Sequence, residues 1–142
     1  MATAVREVFS DLSTWQAMLD RQQEVFSGML RGARIGILPK EEFDSLEGKI
    51  LAWEAQEGRM LAGYRPFTGF RNADVDLLFV ADDEAMVTLY EKAGDNAFGQ
   101  MKELIRRGTI LFYVLKTKHE LLDMGYEEFL DALGLAFLGA CR

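Results

Sequence analysis

The sequence predicts an α+β fold: an N-terminal antiparallel α-hairpin, then a small β-β-α-β sheet, then a C-terminal helix. Three observations carry this. Apolar residues in the first third recur at helical spacing. The texture changes to compact β-prone runs after the segment GYRPFTGFRNAD, and GDNAFGQMKELIRRG has the start and stop signals of a helix between two such runs. The 142 residues suit a single domain, divided into an α-hairpin over 1–63, a connector over 64–74 and an α+β part over 75–142. An all-α bundle is the alternative, because each β-prone run can also be read with helical spacing.

Taken in order, Val5, Val8, Phe9, Leu12, Trp15, Leu19, Phe26, Met29 and Leu30 fall on or near one stripe of a first helix. Ser13 or Thr14 can cap a restart, so a short helix followed by a longer one is equally allowed. Gly32 and Gly36 punctuate the end of the run. Pro39 opens a second helix, with Glu41 and Glu42 near its positive end. Phe43, Leu46, Ile50, Trp53, Met60, Leu61 and Tyr64 continue its stripe. VDLLFVA and AMVTLY then read as a hairpin across an acidic turn, or the second run reads as a helix capped by Asp82 or Asp83. The sequence leaves both open. Phe98, Met101, Leu104 and Ile105 stripe the next helix, which closes on Arg106, Arg107 and Gly108. TILFYVLKTK reads as a buried strand, and YEEFLDALGLAFLGACR as a terminal helix, apolar on several faces, that wants burial.

Composition excludes more than it names. The net charge is −7 and the pI about 4.8, with most of the acidic surplus in residues 72–142 (seven basic, thirteen acidic). That disfavours nucleic acid, whose binding rests on clustered Lys and Arg. One cysteine, Cys141, allows no intrachain disulfide and fits a reducing cytoplasm. No apolar run approaches the roughly twenty residues of a membrane helix. A soluble, cytoplasmic protein is expected.

Catalytic and metal-binding patterns are sparse. One histidine, His119, and one thiol give too few ligands for structural zinc. Asp74-Val75-Asp76 and Asp82-Asp83-Glu84 lack the spacing of a calcium loop. No phosphate-cradling glycine motif occurs. MVTLYEK, KAGDNAFG and QMKELIRRG resemble the strand, loop and helix that open a thioredoxin-fold protein such as a glutaredoxin. The resemblance spans about twenty residues, and the cysteine positions fall near Asp95 and Phe98, so thiol redox chemistry does not transfer. No cofactor, metal or catalytic set is expected.

Two groups of residues remain. Tyr64, Phe67 and Phe70 can stack a planar ligand while Arg65 and Arg71 hold a carboxylate or phosphate. Alternatively the segment is a connector whose arginines pair with Asp74 and Asp76. Trp15, Trp53, Phe129, Leu133 and Phe137 are either core or an interface. Met18, Met29, Met60 and Met101 fit core filling or an adaptable binding face. The resulting expectation is a non-enzymatic accessory, regulatory or assembly protein that works by protein–protein contact, as a homodimer. One alternative is a small-molecule-binding sensor domain with its site near residues 63–74. A second is an enzyme using carboxylates with Arg65, Arg71 or His119.

Overall fold

The computed structural model describes residues 7–45, 48–56, 59–69 and 73–135. A helical turn at 7–10 leads into helix α1 (Leu12–Arg21) and a 3-10 turn (Gln23–Phe26). Strand β1 (Arg34–Pro39), helix α2 (Lys40–Ser45), and strands β2 (Gly48–Gln56), β3 (Arg59–Phe67) and β4 (Leu77–Ala81) follow. Helices α3 (Asp83–Glu91) and α4 (Ala97–Arg107), strand β5 (Ile110–Val114), and helices α5 (Lys118–Asp123) and α6 (Glu127–Ala132) complete the described chain. The strands make one five-stranded sheet in the order β3-β2-β1-β4-β5. β1 and β4 run parallel, and every other neighbouring pair is antiparallel. The fold is α+β, as the sequence predicts.

The α-hairpin is where expectation and structure part. Residues 48–67 form the antiparallel pair β2 and β3, not a second long helix. The cause is burial on both sides. Leu51, Trp53 and Ala55 enter the core under the helices, while Ile50 enters a second core on the opposite face. A strand buried on both faces shows no period of two, and its Ala, Leu, Glu and Gln content favours helix. Pairing to β1 and β3 overrides that propensity. RIGILP is likewise not a break but the central strand. Pro39 does precede a helix, but α2 is only six residues long.

Gly36 belongs to this strand for a packing reason. A Cβ there would lie 2.8 Å from Ile50 Cγ2 and 3.2 Å from both Leu78 Cδ1 and Val75 Cγ1. The 75–90 ambiguity resolves as strand, then helix: β4 ends at Ala81, and Asp82 caps α3 by accepting from Ala85 N at 2.8 Å. Helix α1 starts at an unforeseen cap, Asp11, whose carboxylate accepts from Thr14 N.

The edge strand β3 is blunted by two side chains. Gln16 of α1 accepts from Ala62 N at 2.7 Å and donates to Met60 O at 2.9 Å, taking the place of a neighbouring strand. Pro66 has the same parity as Met60 and Ala62, so its missing N–H falls on the free edge, where no ladder bond is lost.

Candidate functional site

The described seam residues, Tyr64, Arg65 and Phe67, do not converge. Tyr64 points to the helix-covered side, where its hydroxyl donates to Phe9 O and its ring lies 5.4 Å from that of Phe9. Phe67 belongs to the core on the other face of the sheet, stacked 6.1 Å from Phe43, which stacks in turn on Tyr113 at 5.3 Å. Phe70 and Arg71 lie outside the described residues.

Arg65 joins a charge lattice. It reaches Asp74 Oδ2 at 3.1 Å and Glu54 Oε1 at 3.3 Å. Arg34 binds the same two carboxylates, Glu54 Oε1 at 3.2 Å and Asp74 Oδ2 at 3.0 Å. Burial raises the Glu54 carboxyl, but hydrogen bonds and charge from Arg34 and then Arg65 outweigh it, leaving Glu54 below its ordinary value. Each guanidinium is thus matched to carboxylates within the chain. Asp76, 8% exposed, accepts at one oxygen from Tyr126 Oη at 2.6 Å and from Arg34 N at 3.0 Å. Burial, then that bond to Asp76, raises the Tyr126 phenol. Arg34, Asp74 and Asp76 line a polar groove of about 420 Å³ with Gly32, Val75, Leu115 and Lys116. Arg34 and Asp74 in this groove are paired with each other.

The residues expected at an interface lie inside the molecule. Trp15, Trp53 and Phe129 are fully buried and Leu133 is 2% exposed, while Phe137 falls outside the described residues. They meet each other's neighbours, not solvent: Trp53 and Phe129 both pack edge-on to Phe98, at 6.1 and 5.8 Å.

A different place has the character of a binding site. Between the 3-10 turn and the adjoining ends of β2 and β3 lies a pocket of about 140 Å³. Phe26, Met29, Ala55 and Met60 make its apolar wall, and Gln23, Ser27, Gln56 and Arg59 its polar rim. The pocket is smaller and more polar than the usual small-molecule cleft of about 300–1,000 Å³, but it shares that build's combination of an apolar wall and placed polar groups. Arg59 is positioned by Asp20 at 3.3 Å. Behind the pocket stands Trp53, two residues along β2 from Ala55 and on the same face of the sheet. Its indole N–H is buried and has no acceptor among the described residues. Sequence reading singled out Met29, Met60 and Trp53 but set them on helices. Without the β2–β3 hairpin nothing brought them together.

Among the described residues no group of His, Cys, Asp and Glu is arranged to hold a metal ion. Asp82 is occupied as a helix cap. His119 is exposed on α5. No helix among the described residues is long and apolar enough to cross a membrane.

No family model matches the sequence, and no curated protein does. Two solved structures are similar in fold. One is the solution structure of a conserved hypothetical protein from Thermus thermophilus, described as possibly a sterol carrier protein (15% identity, TM-score 0.41, covering 90% of this chain and 89% of that one). The other is the crystal structure of sterol carrier protein 2 (13% identity, TM-score 0.44, covering 87% and 91%). The expectation of an accessory protein acting by protein–protein contact is corrected here. Trp15, Trp53, Phe129 and Leu133, the large apolar side chains expected at an interface, are core.

Proposed function

We propose that the chain is a small-molecule-binding domain whose ligand enters at the pocket between the 3-10 turn and the β2–β3 hairpin. One observation carries this reading: an apolar wall that includes two methionines, Met29 and Met60, under a rim of Gln23, Gln56 and Arg59. Methionine side chains are flexible and can make room for a ligand. A cavity of roughly 150 Å³ holds a benzene-sized molecule, so the present volume of about 140 Å³ accepts one ring or a short chain. The polar end of such a ligand would remain at the rim, beside Arg59. The proposed site thus lies at the end of β2 and the start of β3, at Ala55, Gln56, Arg59 and Met60, instead of the 63–74 segment.

The test is an NMR titration of methyl-labelled methionines with acetophenone. The Met29 and Met60 methyls are expected to shift before those of Met18, Met86 and Met101. Ala55→Leu, which fills the pocket from its floor, is expected to weaken binding at least tenfold. Uniform or absent shifts, or unchanged affinity in a folded Ala55→Leu variant, would remove the pocket from consideration.

A further inference from the structure

The core holds two tryptophans with opposite hydrogen-bonding fates. Trp15 is fully buried and donates its indole N–H to Val8 O at 3.0 Å. Trp53 is equally buried, yet its N–H has no acceptor among the described residues. A buried donor left unpaired is costly, and such groups are rare in folded proteins.

Trp53 is also next to the pocket. Ala55 and Met60 form a cross-strand pair that walls it, and Trp53 with Ala62 is the next pair on that face. Phe98 touches Trp53 at 6.1 Å and the pocket residue Phe26 at 5.6 Å. Trp53 therefore stands one same-face cross-strand pair inward from the pocket wall.

We infer that the Trp53 indole N–H is the buried specificity donor of this site, and that the ligand is an apolar molecule carrying a neutral oxygen acceptor such as a ketone or ester carbonyl. This inference rests on the pocket reading above. Neutrality follows from desolvation: one N–H cannot compensate a carboxylate taken into an apolar interior, whereas it gives a neutral carbonyl a hydrogen-bond partner. An anionic group on the same ligand belongs at the rim with Arg59. The donor then selects between molecules of one shape, because a ligand lacking the acceptor leaves the N–H unpaired.

The experiment compares acetophenone with α-methylstyrene, in which a CH₂ replaces the carbonyl oxygen. Both are titrated into ¹⁵N-indole-labelled wild type and into Trp53→Phe. Wild type is expected to prefer the ketone about tenfold, with the Trp53 indole resonance moving downfield and that of Trp15 unmoved. Trp53→Phe is expected to bind both compounds alike. Equal wild-type affinities with an unmoved Trp53 resonance, or a ketone preference that survives in Trp53→Phe, would overturn the assignment while leaving the pocket intact. Failure of both compounds to bind wild type would overturn the pocket reading itself, and this inference with it. If Trp53→Phe does not fold, the wild-type affinity ratio and the indole shift decide.

Discussion

The two faces of the sheet bury apolar side chains in different ways. On one face, helices and turns of several orientations meet the sheet, and a large core of aromatic, methionine and aliphatic side chains forms between them. On the other, one six-residue helix and the chain around Ala73 and Val75 cover a compact cluster of Leu38, Ile50, Phe67, Leu78 and Val80. The Arg34, Glu54, Arg65 and Asp74 lattice flanks that cluster. Irregular packing leaves both a gap and an unpaired donor on the helix side. The opposite side pairs the charges of its lattice, and Arg34 and Asp74 of that lattice also line the polar groove. On the proposed reading, the helix-covered face is the adaptable one that takes the ligand, and the opposite face is the ordered one.

The sharpest way to break this contrast is at Gly125, where the α5 C-terminus crosses the segment after the 3-10 turn. Gly125 has φ 84°, and a Cβ would lie 1.7 Å from the backbone oxygen of Gly28. Its turn is closed by Gly125 N to Leu122 O and Tyr126 N to Leu121 O, a left-handed helix ending. Gly125→Ala is expected to cost about 4 kcal/mol or more in urea unfolding, the range reserved for such mechanisms. Gly108 ends α4 the same way, at φ 83°, but has open space around it. Gly108→Ala is expected to cost only about 1–2 kcal/mol, the left-handed penalty alone. Equal losses at the two sites would mean that the Gly28 contact is not the constraint.

Gly36→Ala probes the ordered face. The added methyl must displace Ile50, Leu78 or Val75 in a cluster without slack, and overpacking of this kind costs about 1–3 kcal/mol. A neutral result would show that this face yields as readily as the other.

The smallest effect is electrostatic and lies on the helix side. A hydrogen bond from Tyr90, at 2.6 Å, and then those from Thr14 and Ser13 hold the Asp11 carboxyl at about 2, against an ordinary 3.8. A carboxyl depressed in the folded state contributes its stability above the ordinary value and loses it as pH falls toward the folded one. The urea midpoint should therefore drop between about pH 4 and pH 2, and Asp11→Asn should flatten that limb. A limb unchanged in Asp11→Asn would assign the acid sensitivity to other carboxylates.

What was legible followed from local signals. The stripe and C-terminal glycine of α4 are printed in GDNAFGQMKELIRRG, though Asn96 makes no side-chain cap. TILFYVL is a strand, though an edge strand with Leu111 and Val114 exposed instead of a buried one. The α+β class came from these. β1 and β2 were hidden because both of their faces are buried, which erases alternation and leaves glycine, alanine and leucine to suggest other states. The pocket was illegible for the same reason: Phe26 and Met29 meet Ala55, Gln56 and Met60 only through the hairpin that the pattern concealed. The unpaired indole of Trp53 has no sequence signature at all, since Trp15 looks identical until its acceptor is seen.

Gln16 has a mechanical meaning beyond closing an edge. Its amide grips β3 at Met60 O and Ala62 N, and it also donates to Asp20 Oδ1 at 3.2 Å, the oxygen that holds Arg59. Both the wall and the rim of the pocket are thus geared to α1 through one side chain. Any displacement of β3 at Met60 or Ala62 would break these bonds, so the sheet edge and α1 hold one another in place.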